Sequence, residues 1–294
     1  MQMLERRAKV IGLARRFGAA AVPPPAVKKR IGIDALLRWA YREELPKAQP
    51  PERKGPAGYS AAAGFVVTAS SSLEQSWVNR YGVVSDLLAQ SEPHPDAVLV
   101  FEAVAALDQL EFVLPDGWDP FGDLGEMGGH KASAIAAVVD RLCVQDADGK
   151  PRLRNPVSEL VFRCAVLCVP DCVADKPEVK FVCGGNGRPK WFVRRRVVVD
   201  GVTVEIEADG MSATNKRPVY GAYRKTYLDP DPLEAGIARG EYEIWRAAVD
   251  ILADELAGKL DSLEVEWCEL PDRPWEDDIH NRRRGIVLRD LSKA

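Results

Sequence analysis

WFVRRRVVVDGVTVEIEADG, Trp191–Gly210, is the stretch whose reading decides the fold. Asp200-Gly201 at its centre is the dipeptide preferred by a two-residue type I′ turn, because both central residues of that turn need positive φ. On either side the pattern alternates with a period of two, the signature of strands. The turn fixes the register. Val199 faces Val202, and the partners going outward are Val198–Thr203, Val197–Val204, Arg196–Glu205, Arg195–Ile206, Arg194–Glu207 and Val193–Ala208. One face then holds Val193, Val197, Val199, Val202, Val204 and Ile206. The other sets Arg194 against Glu207 and Arg196 against Glu205, ion pairs worth roughly 0.2–1 kcal/mol each on an exposed sheet. Arg195 falls on the apolar face, where a guanidinium must snorkel, find a buried carboxylate or meet a ligand.

Immediately beyond the hairpin, NKRPVYGAYRKTYLDP (Asn215–Pro230) interleaves Lys216, Arg217, Arg224 and Lys225 with Tyr220, Tyr223 and Tyr227. Cations for phosphates and flat rings for bases suit a single-stranded or irregular nucleic acid. Arg195, Lys216, Arg217, Tyr220, Tyr223, Arg224 and Lys225 are therefore the candidate nucleic-acid-binding residues. The competing reading is a further strand with its tyrosines half buried and its cations in solvent.

Charge is segregated along the chain. The overall net charge of −4 divides into +8 for residues 1–54, −10 for 55–175, +6 for 176–228 and −8 for 229–294. A basic segment can thus meet an anionic partner although the whole molecule is acidic. With 294 residues, 46% of them hydrophobic, the chain can bury a sizeable core. No run of 18 apolar residues is present to span a bilayer, and the opening residues lack a secretory pattern. The expectation is a cytoplasmic protein with no membrane partner.

Four segments follow: 1–64, a basic helical arm with linkers; 65–175, an acidic helical block; 176–270, an antiparallel sheet with a long helix; 271–294, a charged tail. In the arm, Met3–Phe17 and Ile33–Leu45 read as helices, separated and ended by prolines. In the block, Ser71 and Glu74 form a capping box before Leu73, Trp77, Tyr81, Val84 and Leu88, which predicts a helix over 71–88. Further helices are expected at Asp96–Glu111, Lys131–Leu142 and Asn155–Leu167, packed as a small bundle. After Pro230 the stripe Trp245, Val249, Leu252, Leu256 and Leu260 marks a core helix. Leu263–Leu270 alternates again and suggests a strand at the edge of the hairpin sheet. The fold class is α+β.

Cys164, Cys168, Cys172 and Cys183 invite a zinc reading, but their intervals of four, four and eleven do not form the two close pairs of a thiolate site. Cys164 and Cys168 instead share the buried face of a helix with Val157 and Leu160, so packed thiols and no metal are expected. Gly122–Ser133 (GDLGEMGGHKAS) departs from a phosphate-binding loop: His130 separates the last glycine from Lys131, and no strand precedes it. It reads as a loop and helix cap. The three histidines are scattered, and no spacing among the 44 acids marks a catalytic pair. No cofactor is expected and no catalytic residue stands out.

RIGIDALLRWAYREELPK (Arg30–Lys47) with RPWE (Arg273–Glu276) resembles uncharacterised proteins encoded by phages and prophages of alphaproteobacteria. The resemblance carries no site and implies a DNA-transaction or regulatory role. Together these features point to a non-enzymatic accessory protein that binds DNA or RNA weakly and without sequence preference. The alternatives are an assembly protein, self-associating or not, whose basic segments neutralise acidic helices, and an unrecognised enzyme.

Overall fold

The computed structural model describes residues 28–49, 78–86, 88–89, 91–146, 149–199, 201–276 and 286–289. Strand β1 (Lys29–Gly32) leads into α1 (Ile33–Trp39), which continues as a π turn (Ala40–Glu44) and a 3-10 turn (Leu45–Lys47). Then come α2 (Pro95–Ala106), β2 (Glu111–Val113), α3 (Lys131–Leu142), β3 (Cys143–Gln145), β4 (Pro151–Leu153) and α4 (Val157–Val166). The sheet region holds β5 (Glu178–Phe181), β6 (Trp191–Val199), β7 (Val202–Asp209), β8 (Tyr223–Arg224) and β9 (Thr226–Asp229). The long helix α5 (Leu233–Leu256), β10 (Leu263–Glu266) and β11 (Val287–Arg289) complete the order. The protein is α+β, built of small, mostly antiparallel sheets around helices. Among the described residues no helix is long and apolar enough to cross a membrane.

The 24 residues of α5 make a rod of about 36 Å at 1.5 Å per residue. Tyr242, Ile244, Trp245, Ala248, Val249, Leu252, Ala253 and Leu256 are all buried, a stripe too wide for a surface helix. Helices α1 to α4 and strands β10 and β11 all contact this rod. On α3 the approach is closest: a Cβ at Gly236 would lie 2.5 Å from Val138 Cγ2 and 2.6 Å from Phe121 Cζ, and one at Gly240 would lie 2.3 Å from Leu142 Cδ1.

The irregular segment between β2 and α3 is core, because Trp118, Phe121, Leu124 and Met127 are buried against these elements. Two charged residues of α5 hold it. Arg239, 1% exposed, donates to both Asp123 oxygens (2.6 and 2.9 Å), to Pro120 O (2.8 Å) and to Cys172 O (3.0 Å). One turn later, buried Glu243 accepts from Trp118 Nε1 (3.1 Å) and the Ile286 amide (3.0 Å) and faces Arg273 Nη2 at 2.9 Å. Burial pushes the Glu243 carboxyl up, and Arg273 pulls against it.

Several expectations change. Helix α3 has the expected bounds, but the helix expected over Asp96–Glu111 ends at Ala106 and gives way to a 3-10 turn and β2. The helices surround α5 and do not form a bundle of their own. Of the helix expected over 71–88, Ser71, Leu73, Glu74 and Trp77 lie outside the described residues, as does Met3–Phe17. Tyr81 and Val84 are not helical. Val78 bridges Val84 across a tight turn with Gly82 at φ +74°. The Asn79 side chain drives this turn, since it donates to Leu45 O and Ala48 O and accepts from the Tyr81 amide.

Strand β10 does not join the hairpin sheet. It pairs in parallel with β1, where Arg30 meets both Glu264 (3.4 Å) and Glu266 (3.8 Å). Its start is fixed by Asp96 of α2, fully buried, which accepts from the Asp261 amide (2.8 Å), the Ser262 amide (3.0 Å) and the Ser262 hydroxyl (2.7 Å). Within the expected tail, β11 pairs antiparallel with β2, and Ile286 and Leu288 are buried.

Two outcomes follow from this packing. Gly236→Ala gains up to about 1 kcal/mol of helix propensity but drives a methyl into two fully buried side chains. A net loss of about 1–3 kcal/mol is expected in denaturant titration. For Asp96, burial alone would raise the carboxyl, and the hydrogen bonds from Ser262 and Asp261 outweigh it and hold the group below its ordinary value. Its stabilisation is therefore present above the unfolded pKa of about 3.9 and is lost as pH falls through the lower folded value. Asp96→Asn is expected to cost about 2–3 kcal/mol at pH 7, and the gap to the parent protein should narrow below pH 4.

Candidate nucleic-acid interface

Strands β5 to β9 form a continuous module. β5 pairs with β9, β6 lies between β7 and β8, and the Val182–Lys190 turn joins the two sheets through Val182 N to Lys225 O (3.0 Å) and Lys190 N to Val182 O (2.8 Å). The module is seated on the loop that resembles a phosphate-binding motif. Gly128, at φ +54°, leaves room for Val179 of β5, whose Cγ2 would be 2.6 Å from a Cβ there. His130 Nε2 lies 2.6 Å from Thr226 Oγ1 of β9. Lys131 is engaged by Asp119 at 2.6 Å. The glycines here serve contact between chain segments.

Every expected pair of the hairpin is present, from Val199–Val202 to Val193–Ala208, and Gly201 has φ +81°. Arg196 Nε meets Glu205 Oε1 at 3.3 Å. Arg194 stands opposite Glu207 in the register, but that carboxylate is bonded by Lys225 Nζ and the Tyr223 hydroxyl, which hold it below the usual carboxylate range. Arg194 lies over the Tyr223 ring instead, at 5.9 Å. The third strand, β8, is what redirected Glu207, because Tyr223 pairs with Phe192 on the same face.

The hairpin is a ribbon with water on both sides. Val197, Val199, Val202, Val204 and Ile206 are 37–64% exposed, although they share one face, and Arg195 between them is exposed as well. Trp191 and Arg224, a cross-strand pair, extend this face toward the base of the ribbon. Among the described residues this face carries no carboxylate, since Glu205 and Glu207 alternate to the opposite side.

Around the base, cations cover the rings. Arg224 lies 4.5 Å over Trp191 and 5.7 Å from Phe181; Lys190 and Lys225 lie 5.3 and 5.1 Å from Phe192. The structure thus brings Tyr223, Arg224 and Lys225 together and adds Phe181, Lys190, Trp191 and Phe192. The signal for these was the alternation continuing past Val193. Lys216 (φ +52°) and Arg217 lie on the separate loop that Met211 and Pro218 close, and Tyr220 beside them is fully exposed. Arg188, Lys190, Arg195, Lys216, Arg217 and Arg224 have no ion-pair partner among the described residues. Lys180, Arg196 and Lys225 are paired with Asp229, Glu205 and Glu207.

The cysteines are not gathered. Cys143, Cys164, Cys172 and Cys268 are buried, and Cys168 and Cys183 are exposed. Among the described residues no group of three or more His, Cys, Asp or Glu side chains is placed to hold a metal ion. No protein-family model, no curated protein and no solved structure matches the chain.

Burial pushes the thiols of Cys164 and Cys172 up to about 12 and that of Cys143 to about 11. Since the thiolate is the nucleophile, these groups are inert at neutral pH. Labelling of the folded protein with a disulfide reagent at pH 8 is expected to modify Cys168 and Cys183 within minutes, and the other four only on unfolding. Mass mapping of the modified peptides checks it.

Proposed function

We propose that this protein binds nucleic acid without catalysing a reaction on it, and that the β5–β9 module is its contact surface. The observation that carries this reading is the set of six unpaired cations, Arg188, Lys190, Arg195, Lys216, Arg217 and Arg224, on one small sheet module. Elsewhere most arginines are used internally: Arg239 on Asp123, Arg273 on Glu243 and Arg163 on Glu241. Had the basic segment served only to neutralise this chain's own acidic helices, its arginines would be paired against them. They face water. Residues 55–175 and 229–294 carry −10 and −8 and repel a phosphate backbone, which favours an approach through the module. The role in a mobile element implied by the phage resemblance is compatible with such a protein and rests on the sequence alone.

The assembly reading keeps one supporting observation, the uncovered valines of the ribbon, because exposed apolar surface also suits a protein partner.

Fluorescence anisotropy of the full chain against labelled DNA, across a salt series, tests the proposal. If about four phosphates are neutralised, log affinity falls with log salt at a slope of roughly −3 to −4. Lys216→Glu with Arg217→Glu is expected to weaken binding more than tenfold for all sequences and to flatten the slope by about two. Lys150→Glu on the core should leave both unchanged. An absence of binding to DNA or RNA in dilute salt at tens of micromolar would refute the proposal.

A further inference from the structure

Resting on the nucleic-acid reading above, we infer that the β6–β7 ribbon enters the major groove of double-stranded DNA, with its Val197, Val199, Val202, Val204 and Ile206 face against the base edges.

The first argument concerns size. From Val193 to Val199 the ribbon reaches about 20 Å at ~3.4 Å per residue. Beyond Arg194 it is two strands wide, and its described residues there are exposed on both faces. The major groove of B-form DNA, about 12 Å wide and 8.5 Å deep, admits a two-stranded ribbon, whereas the major groove of A-form RNA is too narrow for side chains to read.

The second argument concerns charge. The apolar face carries Arg195 and, at its base, Arg224, and among the described residues it has no carboxylate. A second copy of this chain would bring two more arginines onto that face with nothing to receive them. Five small side chains also fall short of the roughly 800 Å² per partner that a stable interface uses. A polyanion with apolar features at its floor fits better, and thymine methyl groups in the major groove supply those features.

The third argument separates duplex from single strand. Binding a single strand without sequence preference needs open rings on which successive bases stack. Trp191 is covered by Arg224, Phe192 by Lys190 and Lys225, and the Tyr223 hydroxyl is tied to Glu207. Tyr220 is fully open and Tyr227 is 45% exposed, but they lie on separate segments, a loop and β9. The rings of the module act as supports for cations, which suits a phosphate backbone of fixed spacing.

The experiment uses the full chain, a 30-base-pair DNA duplex, one of its strands, and an RNA duplex of the same sequence. Duplex DNA is expected to bind at least tenfold more tightly than either alternative. Val199→Thr with Val202→Thr keeps β-branched residues in the strands and changes no charge. This variant should lose three- to tenfold in affinity for duplex DNA with an unaltered salt slope, and Arg195→Gln should flatten the slope by about one. Independently of any variant, dimethyl sulfate footprinting should show guanine N7 protected in the complex. Equal or tighter binding of the single strand, equal binding of duplex RNA, unprotected N7, or a threonine variant that binds duplex DNA like the parent would each overturn the inference. So would a threonine variant defective only in binding phosphatidylserine vesicles or in forming a dimer. Binding to no nucleic acid at all would remove the broader proposal as well, an outcome distinct from DNA binding that ignores the ribbon.

Discussion

A guanidinium buried inside α5 organises this molecule. Arg239 makes four hydrogen bonds: Asp123 takes two, the carbonyls of Pro120 and Cys172 one each, and Trp275 lies 5.1 Å beneath it. A charge this buried is tolerable only when it is paired and hydrogen-bonded, so the segments that supply the acceptors have little freedom. One of them is the Trp118–Gly129 loop. Once Asp123 is held, Met127–Gly129 presents its glycine to Val179, and the sheet module has its seat. The path from a helix side chain to a projecting ribbon is therefore continuous, each step requiring the one before.

The second principle of the design is a division of labour between charges. In the core they come in matched sets: Arg239 with Asp123, Glu243 with Arg273, Asp96 with the amides that open β10. They tie together residues far apart in sequence, where hydrophobic contact alone would leave the register loose. In the module the charges are left over. The acids described there are Glu178, Glu205, Glu207, Asp209 and Asp229; Asp229, Glu205 and Glu207 pair with Lys180, Arg196 and Lys225, and both glutamates of the ribbon lie on the side opposite Arg195. An overall pI of about 5.6 averages over these two populations and describes neither.

How much of this could be read beforehand depended on the range of the interactions. The hairpin register was legible because a two-residue turn and a period of two determine it locally. Arg196–Glu205 followed, and Arg194–Glu207 did not, since β8 arrives from fourteen residues beyond Asp209 and brings Lys225 to the same carboxylate. The pairing of β1 with β10 joins chain segments more than two hundred residues apart and leaves no local trace. The helix expected over 71–88 had a strong periodicity in its described half, yet one asparagine, bonded to Leu45 O and Ala48 O outside the segment and to the Tyr81 amide within it, overrode it. Nothing local in the sequence marks Arg239 as buried. The available hint was Gly236 and Gly240 four apart in a helix, which are costly there unless another segment comes close. Of the candidate site, the cations were visible in the sequence. That their own neighbours would occupy the aromatic faces was not.

A ribbon wet on both faces is held by its own cross-strand bonds and by little else, so its opening is only weakly coupled to that of the α5 core. Changes near Gly201 are therefore screened from the folding equilibrium of the rest of the molecule. Lengthening, shortening or recomposing the tip leaves Arg239 and its acceptors untouched. The ribbon is therefore free to diversify while the scaffold beneath it stays fixed.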